Sequence, residues 1–140
     1  MLIPYAVLFA WSFAAATVLP LGSEVALGAL VRREQVWFWP VVVATIGNAL
    51  GACTTFWLGR RAAGLVARRH TAGAAEQRAA RWLRRWGRPA LLLSWVPLVG
   101  DALVAAAGAS GVPFAGFFWW MLPGKALRYL VVAWAVLQVR

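Results

Sequence analysis

Four apolar blocks, separated by short polar breaks and one long basic segment, dominate the chain. They cover residues 2–31, 36–58, 90–111 and 112–139. The second block is long enough to cross a bilayer as a helix that rises ~1.5 Å per residue, and it is the nearest to a plain spanning helix. Proline and glycine interrupt the other three blocks, which therefore predict broken helices.

Two of these interruptions share a pattern. Residues 20–24 and 97–101 both contain Pro-Leu-x-x-acid with a glycine inside, and they begin 77 residues apart, about half the chain. The helix-breaking residues are Pro20, Gly22, Pro97 and Gly100. Paired broken segments in the two halves of a membrane protein are typical of a transporter's binding site. The alternative is two unrelated kinks whose acids reach an interface.

Composition assigns the chain to the membrane proteins. Of its 140 residues 63% are hydrophobic and 13% are charged, and the mean hydropathy is +0.72. Soluble domains are about 45–50% apolar and about 25% charged. The single cysteine excludes a disulfide within the chain, and with a single histidine it excludes a Cys/His metal cluster. We expect one all-α integral membrane domain without metal or cofactor.

The charge is strongly positive and unevenly placed. Fourteen Lys and Arg face four acids, and nine of these cations lie between Arg60 and Arg88. Cytoplasmic loops retain Lys and Arg, so residues 60–88 are predicted to be a cytoplasmic linker between halves 1–59 and 89–140, and no nucleic-acid binding is expected. The second block then runs inward and leaves Arg32 and Arg33 outside, a mild exception to the rule unless part of the first block is re-entrant.

The linker has an amphipathic pattern over residues 75–88. A step of 100° per residue separates an arginine face from a face of alanine, leucine and tryptophan. A helix of this kind lies in the headgroup plane, where anionic lipids attract it.

Ionisable residues inside the apolar blocks are the candidate functional residues. A carboxylate at the centre of a spanning helix costs about 2.5–3.5 kcal/mol, so Glu24 and Asp101 should have partners. Lys125 and Arg128 lie three residues apart, on one helix face, and Arg60 closes the second block. We expect these five residues to form a path for a proton or an anionic substrate. Snorkelling to an interface is the alternative for Lys125 and Arg128.

These residues lie within motifs that resemble the DedA superfamily, also called the VTT domain, and most closely its small YqaA-type bacterial branch. The motifs occupy residues 20–24, 47–51, 56–60, 94–101 and 124–129. The resemblance implies two re-entrant hairpins that face each other in an inverted repeat with spanning helices. It also implies a multi-pass bacterial inner-membrane translocator of an anionic lipid or polyprenyl-phosphate carrier, in some members coupled to protons.

The chain departs from the family pattern at four positions. Family members usually carry an arginine three residues before and three after the second hairpin's proline, where this chain has Ser94 and Gly100. Phe56 replaces a tyrosine, and Ala52 replaces a frequent acid. Lys125 and Arg128 are candidates to supply the missing positive charge.

Two other functions stay open at this stage. One is a proton-coupled transporter of a small solute or ion, which would use the same acids. The other is a non-transporting assembly factor built on small-residue packing at Gly47 and Gly51, and pairing of two copies is open for the same reason. An enzyme is not expected, because no serine, histidine and acid come together in the pattern.

Overall fold

The computed structural model describes residues 2–17, 22–66, 74–96 and 99–139, and the regular structure within these ranges is entirely helical. In chain order the elements are α1 (Leu2–Thr17), α2 (Ser23–Glu34), α3 (Phe38–Val66), α4 (Ala74–Trp86), a 3₁₀ helix (Arg88–Trp95), α5 (Val99–Ala109) and α6 (Phe114–Gln138). The predicted all-α class is confirmed.

The first and third apolar blocks are interrupted near the positions that the sequence predicts. α1 ends before Gly22, whose backbone φ of 110° is left-handed, and α2 starts directly after it. The 3₁₀ helix ends at Trp95, and Gly100 lies in the first turn of α5. Pro20 and Pro97 themselves lie outside the described residues. After each interruption a new helix begins, α2 in the first block and α5 in the third. Each of these two helices has an acid in its first turn.

The prediction of a helix break in the fourth block is wrong. α6 runs without interruption through Pro123, Gly124 and Lys125. Proline removes one backbone N–H from the ladder, and a long membrane helix tolerates this loss when its neighbours support it. Gly124 serves close packing instead, since a Cβ there would lie 2.5 Å from the Leu92 carbonyl oxygen of the 3₁₀ helix. Within the described ranges, two helices, α3 and α6, are long and apolar enough to cross a membrane.

The predicted amphipathic helix is present as α4, but part of its apolar face packs on the protein itself. Ala79 and Leu83 are buried in a cluster that includes Leu103 of α5, whereas Trp86 is exposed. The exposed arginines of this helix are Arg78, Arg81, Arg84 and Arg85. The first residues of the predicted linker are helical, because α3 continues through Arg60 and Arg61 to Val66. Residue 70, the lone histidine, lies outside the described ranges.

Helices α3 and α6 are antiparallel, as their contacts at both ends show. Near the end of α3, Phe56 stacks on Phe117 near the start of α6, with ring centroids 4.3 Å apart. Near the start of α3, Val41 and Ala44 share an apolar cluster with Ala133 near the end of α6. Two apolar clusters therefore lie towards opposite ends of the α3–α6 pair.

The shorter helices pack on this pair in a crossed pattern. α1 packs along α3 and the 3₁₀ helix along α6, so each lies against the long helix of its own half. α2 packs mainly on α6 and α5 mainly on α3, so each lies against the long helix of the other half. At Gly51 of α3, a Cβ would lie 2.4 Å from the Phe13 carbonyl oxygen of α1. The crossing brings the first turn of α2 to the middle of α6.

Candidate functional site

Two carboxylates stand where new helices begin beyond the interrupted segments. Glu24 lies in the first turn of α2 and Asp101 in the first turn of α5, and both side chains are partly buried. A carboxylate in a first turn is favoured by the helix dipole and by free backbone N–H groups. The interruption of each block thus helps to stabilise an acid among apolar surroundings.

The cations for these acids come from one turn of α6. The Arg128 guanidinium forms an ion pair with the Glu24 carboxylate. Lys125 Nζ lies 3.9 Å from Asp101 Oδ1, a looser pair. The structure therefore brings together four of the five predicted residues and pairs each acid with one cation.

The two pairs differ in exposure. The Arg128 side chain is 10% exposed, whereas that of Lys125 is 0% exposed. Among the described residues, no atom accepts a hydrogen bond from Lys125 Nζ. A fully buried ammonium needs a charge partner to offset its desolvation, and Asp101 is its ion-pair partner among the described side chains. Lys125 is thus an internal charge, and Arg128 borders the surface.

A cleft of about 400 Å³ opens at the Arg128 pair. It is lined by Glu24, Trp95, Leu127, Arg128, Val131 and Val132. One part of this lining is the ion pair, and the rest is apolar side chains from α6 and the 3₁₀ helix. The cleft therefore has the chemistry to take an amphiphile, with an anionic group at Arg128 and an apolar chain along α6.

A buried hydrogen bond lies beside the same pair. The Tyr129 hydroxyl donates to Ser23 Oγ at 3.1 Å, and both side chains are fully buried. Since Ser23 precedes Glu24 and Tyr129 follows Arg128, two adjacent contacts join α2 to α6. Sequence reasoning included Ser23 and Tyr129 only as members of the motifs at residues 20–24 and 124–129, and selected neither as a site residue.

Asn48 is a second buried polar residue that sequence reasoning did not select. Its Nδ2 donates to the Ser12 carbonyl oxygen of α1 at 3.1 Å, while its Oδ1 has no partner among the described residues. The sequence does contain a pattern that relates Asn48 to Lys125. Residues 47–50 are Gly-Asn-Ala-Leu and residues 124–127 are Gly-Lys-Ala-Leu, at the same 77-residue spacing as the two acids. Asn48 thus occupies on α3 the position that Lys125 occupies on α6.

Arg60 is not part of this arrangement. Its guanidinium donates to the Val112 carbonyl oxygen and lies 4.9 Å from the ring centre of Phe56 and 5.2 Å from that of Trp57. These contacts hold the end of α3 to the turn between α5 and α6. The structure therefore gives Arg60 a packing and hydrogen-bonding role away from the two ion pairs.

Comparison with known proteins places this chain in a family. The sequence model of the VTT domain matches residues 19–138, which include both acids and both cations of the site. The chain belongs to the VTT-domain (DedA) family.

Relatives of this VTT-domain chain match it over most of its length. It is 42% identical over 132 residues to inner membrane protein YqaA of Escherichia coli, covering 94% of this chain and 89% of the relative, and the match to YqaA of Shigella flexneri has the same values. A protein of Haemophilus influenzae described as uncharacterised is 35% identical, covering 89% of this chain and 82% of the relative. No solved structure matches the chain.

The two positions at which this VTT domain lacks the family's arginines are tightly packed. Ser94 Oγ is buried and donates to the Met121 carbonyl oxygen at 3.2 Å. A Cβ at Gly100 would lie 2.3 Å from the Ser94 carbonyl oxygen, so the α5 helix and the 3₁₀ helix meet with no room for a longer side chain. The positive charges next to the acids come from α6 instead.

Proposed function

We propose that this VTT-domain chain is a multi-pass inner-membrane protein that moves an anionic lipid across the bilayer without altering it chemically. The observation that carries the proposal is the cleft beside α6, where an apolar wall ends at the Glu24–Arg128 ion pair. The two candidate spans and the description of the E. coli and S. flexneri relatives as inner membrane proteins support the placement in the inner membrane.

In the proposed mechanism the lipid phosphate replaces Glu24 as the partner of Arg128. A guanidinium binds carboxylate and phosphate with the same planar pair of donors, so the two anions compete for one cation. The apolar chain would lie along Leu127 and Val131, outside the polar interior. Release of Glu24 removes a contact between α2 and α6, which couples lipid binding to movement of α2.

We further propose that the two halves form an inverted pair of re-entrant hairpins around this site. Three observations support it: α3 and α6 are antiparallel, the shorter helices pack on them in a crossed pattern, and the acids and the Gly-x-Ala-Leu segments recur at one spacing. A site between inverted halves is accessible from either leaflet after a small movement of one half against the other.

The Lys125–Asp101 pair is the proposed proton site. Asp101 is partly exposed and its partner Lys125 is fully buried, so a proton that reaches Asp101 would neutralise one half of an otherwise paired charge. This pair also favours the second candidate, a proton-coupled transporter of a small solute, in which the cleft would take no lipid chain.

A lipid-flipping assay tests the proposal. The full chain, reconstituted in liposomes, should flip fluorescent phosphatidylglycerol faster than empty liposomes, as measured by dithionite quenching. Arg128→Gln should reduce the rate at least tenfold, since the phosphate loses its charge partner, whereas Arg81→Gln, an exposed arginine on α4, should leave it unchanged. Folded protein that flips no lipid, or equal effects of the two variants, would overturn lipid transport.

A flux assay separates the alternatives. A pH jump across the same liposomes should drive lipid flipping in the unmodified chain, and Asp101→Asn should abolish the pH dependence. Solute or proton flux without lipid flipping would favour the small-solute transporter. Full rescue of a deletion strain by a chain with alanine at both Glu24 and Asp101 would favour the assembly factor.

A further inference from the structure

The last turn of α2 carries an arginine that takes no part in the proposed site. Arg32 lies in the last turn of α2, is exposed, and forms no ion pair with a carboxylate of the described residues. The nearby Glu34 accepts a hydrogen bond from the Tyr5 hydroxyl of α1 instead. Arg32 is thus a free positive charge at the end of the molecule where positive charge is not expected.

This arginine borders a polar cleft built by a well-defined turn. The cleft, of about 250 Å³, is lined by Arg32, Gln35, Val136, Leu137 and Val139. Gln35 adopts a left-handed backbone, and its side-chain amide donates to the Arg32 carbonyl oxygen at 2.7 Å. The cleft therefore has a fixed polar rim on α2 and an apolar floor on the end of α6.

An apolar groove continues from the same cleft along the long helices. It has a volume of about 280 Å³ and is lined by Trp37, Leu130, Ala133, Trp134 and Leu137. Leu137 lines both cavities, so they adjoin at this side chain. Trp37 and Trp134 are exposed, as tryptophans are where a helix meets the headgroup boundary.

We propose that this second site, formed by Arg32, Gln35 and the groove beside Leu137, binds one anionic phospholipid of the surrounding leaflet. The Arg32 guanidinium holds the phosphate, and one acyl chain lies along Leu137 and Leu130. A cationic rim joined to an apolar groove favours an anionic lipid. The phosphate of a zwitterionic lipid is already offset by the ammonium of its own headgroup, and a free anion would not use the groove. The site faces the leaflet opposite the basic linker on the predicted topology, and it does not depend on whether the chain transports lipid.

Lipid binding to the purified full chain tests this site. The chain in a neutral detergent is titrated with short-chain phosphatidylglycerol, with phosphatidylcholine of the same chains and with glycerol phosphate, and bound molecules are counted by native mass spectrometry. We expect phosphatidylglycerol to bind at two sites, one of which Arg128→Gln removes. Arg32→Gln should weaken the other site about tenfold, as loss of one charged phosphate contact does.

Two variants control for charge and for the groove. Arg84→Gln removes an exposed arginine from the last turn of α4, as Arg32→Gln does from the last turn of α2, and should leave both sites intact. Leu137→Trp should weaken the Arg32 site while its charge is kept, and circular dichroism checks that this variant folds. Unchanged binding in Arg32→Gln, an equal loss in Arg84→Gln, or competition by glycerol phosphate as strong as by phosphatidylglycerol would overturn the proposal. Loss of transport in Arg128→Gln with the Arg32 site intact separates the two proposals.

Discussion

The burial of Lys125 leads to a prediction about the stability of the protein. Its ammonium is fully buried, and its partner Asp101 is 3.9 Å away. Removing Asp101 would leave the ammonium of Lys125 buried without a counter-charge, which is costly. Replacing Lys125 by an apolar side chain of similar length would leave the Asp101 carboxylate, whose side chain is 28% exposed and can be hydrated. The pair therefore predicts opposite effects of changing its two members.

The thermal stability of two variants in detergent should show this asymmetry. Asp101→Asn should lower the free energy of unfolding by about 3 kcal/mol, because Lys125 then stays buried without a counter-charge. Lys125→Met should leave the unfolding temperature equal or higher. The measurement is the midpoint of unfolding followed by tryptophan fluorescence, and a larger loss in Lys125→Met than in Asp101→Asn would contradict the buried-charge argument.

The Tyr129–Ser23 hydrogen bond predicts a coupling between two residues 106 positions apart. Tyr129→Phe leaves the Ser23 hydroxyl buried without this partner and should cost about 1–2 kcal/mol. Ser23→Ala should cost a similar amount, and the double variant little more than either single one. A double-mutant cycle on the unfolding free energy measures the coupling, and strictly additive losses would mean that the bond contributes nothing.

At the scale of residues, sequence reasoning found side chains on a shared face but not all of their contacts. The three-residue spacing of Lys125 and Arg128 was enough to place them together on α6. Arg60 is also a cation next to an apolar block, yet it contacts Val112 in the turn between α5 and α6, away from both acids. Only the crossing of α2 and α5 decides which cations meet an acid, and the periodicity within one element does not contain that information.

At the scale of elements, glycines allow helix backbones to touch, and three of them show this for α1, α3 and α5. A Cβ at Gly51 would lie 2.4 Å from a carbonyl oxygen of α1, and one at Gly108 would lie 2.0 Å from the Phe56 carbonyl oxygen of α3. At Gly47 the corresponding distance to the Phe9 carbonyl oxygen is 2.7 Å. Gly47 and Gly51, which sequence reasoning weighed for contact with a partner, are therefore used within the chain, where they join α1 to α3.

Alanine substitutions can compare a glycine that packs against backbone with a glycine that packs against a side chain. Gly51→Ala should destabilise the chain by about 1–3 kcal/mol, because the new methyl group meets a backbone atom that cannot move alone. Gly28→Ala meets only the Val136 methyl group at 3.2 Å and should cost much less. Unfolding midpoints in detergent provide the comparison, and equal losses in the two variants would refute the close approach of α1 and α3.

The sequence predicted helix boundaries correctly where proline, glycine and an acid occur within one short segment. Around Gly22 and Gly100 the chain ends one helix and begins another, as the pattern indicates. Around Pro123 a similar pattern fails, since Gly124 packs against Leu92 and the helix continues. Proline alone does not separate a kink from a break, because the outcome depends on which neighbour supports the freed backbone.

At the scale of the whole molecule, the antiparallel α3–α6 pair determines which ends of the chain share a side. The end of α3 meets the turn before α6 through Arg60 and Val112, and the cleft at Arg32 also contains Val139. The turn between α2 and α3 is therefore on the same side as the end of α6. The turn between α5 and α6 is on the side of the basic helix α4, for which the positive-inside rule predicts a cytoplasmic position.

Single cysteines in a Cys53→Ser background test this arrangement. Val36→Cys and Val139→Cys occupy exposed positions at one end, and Ser110→Cys and Arg84→Cys occupy exposed positions at the other. A membrane-impermeant maleimide should label the first two in intact spheroplasts and the last two only in inverted vesicles, because two antiparallel spans return the chain to the side from which α3 started. Labelling of Val36→Cys and Val139→Cys from opposite sides would mean that only one of α3 and α6 crosses the bilayer, and the inverted arrangement of the halves would then be excluded.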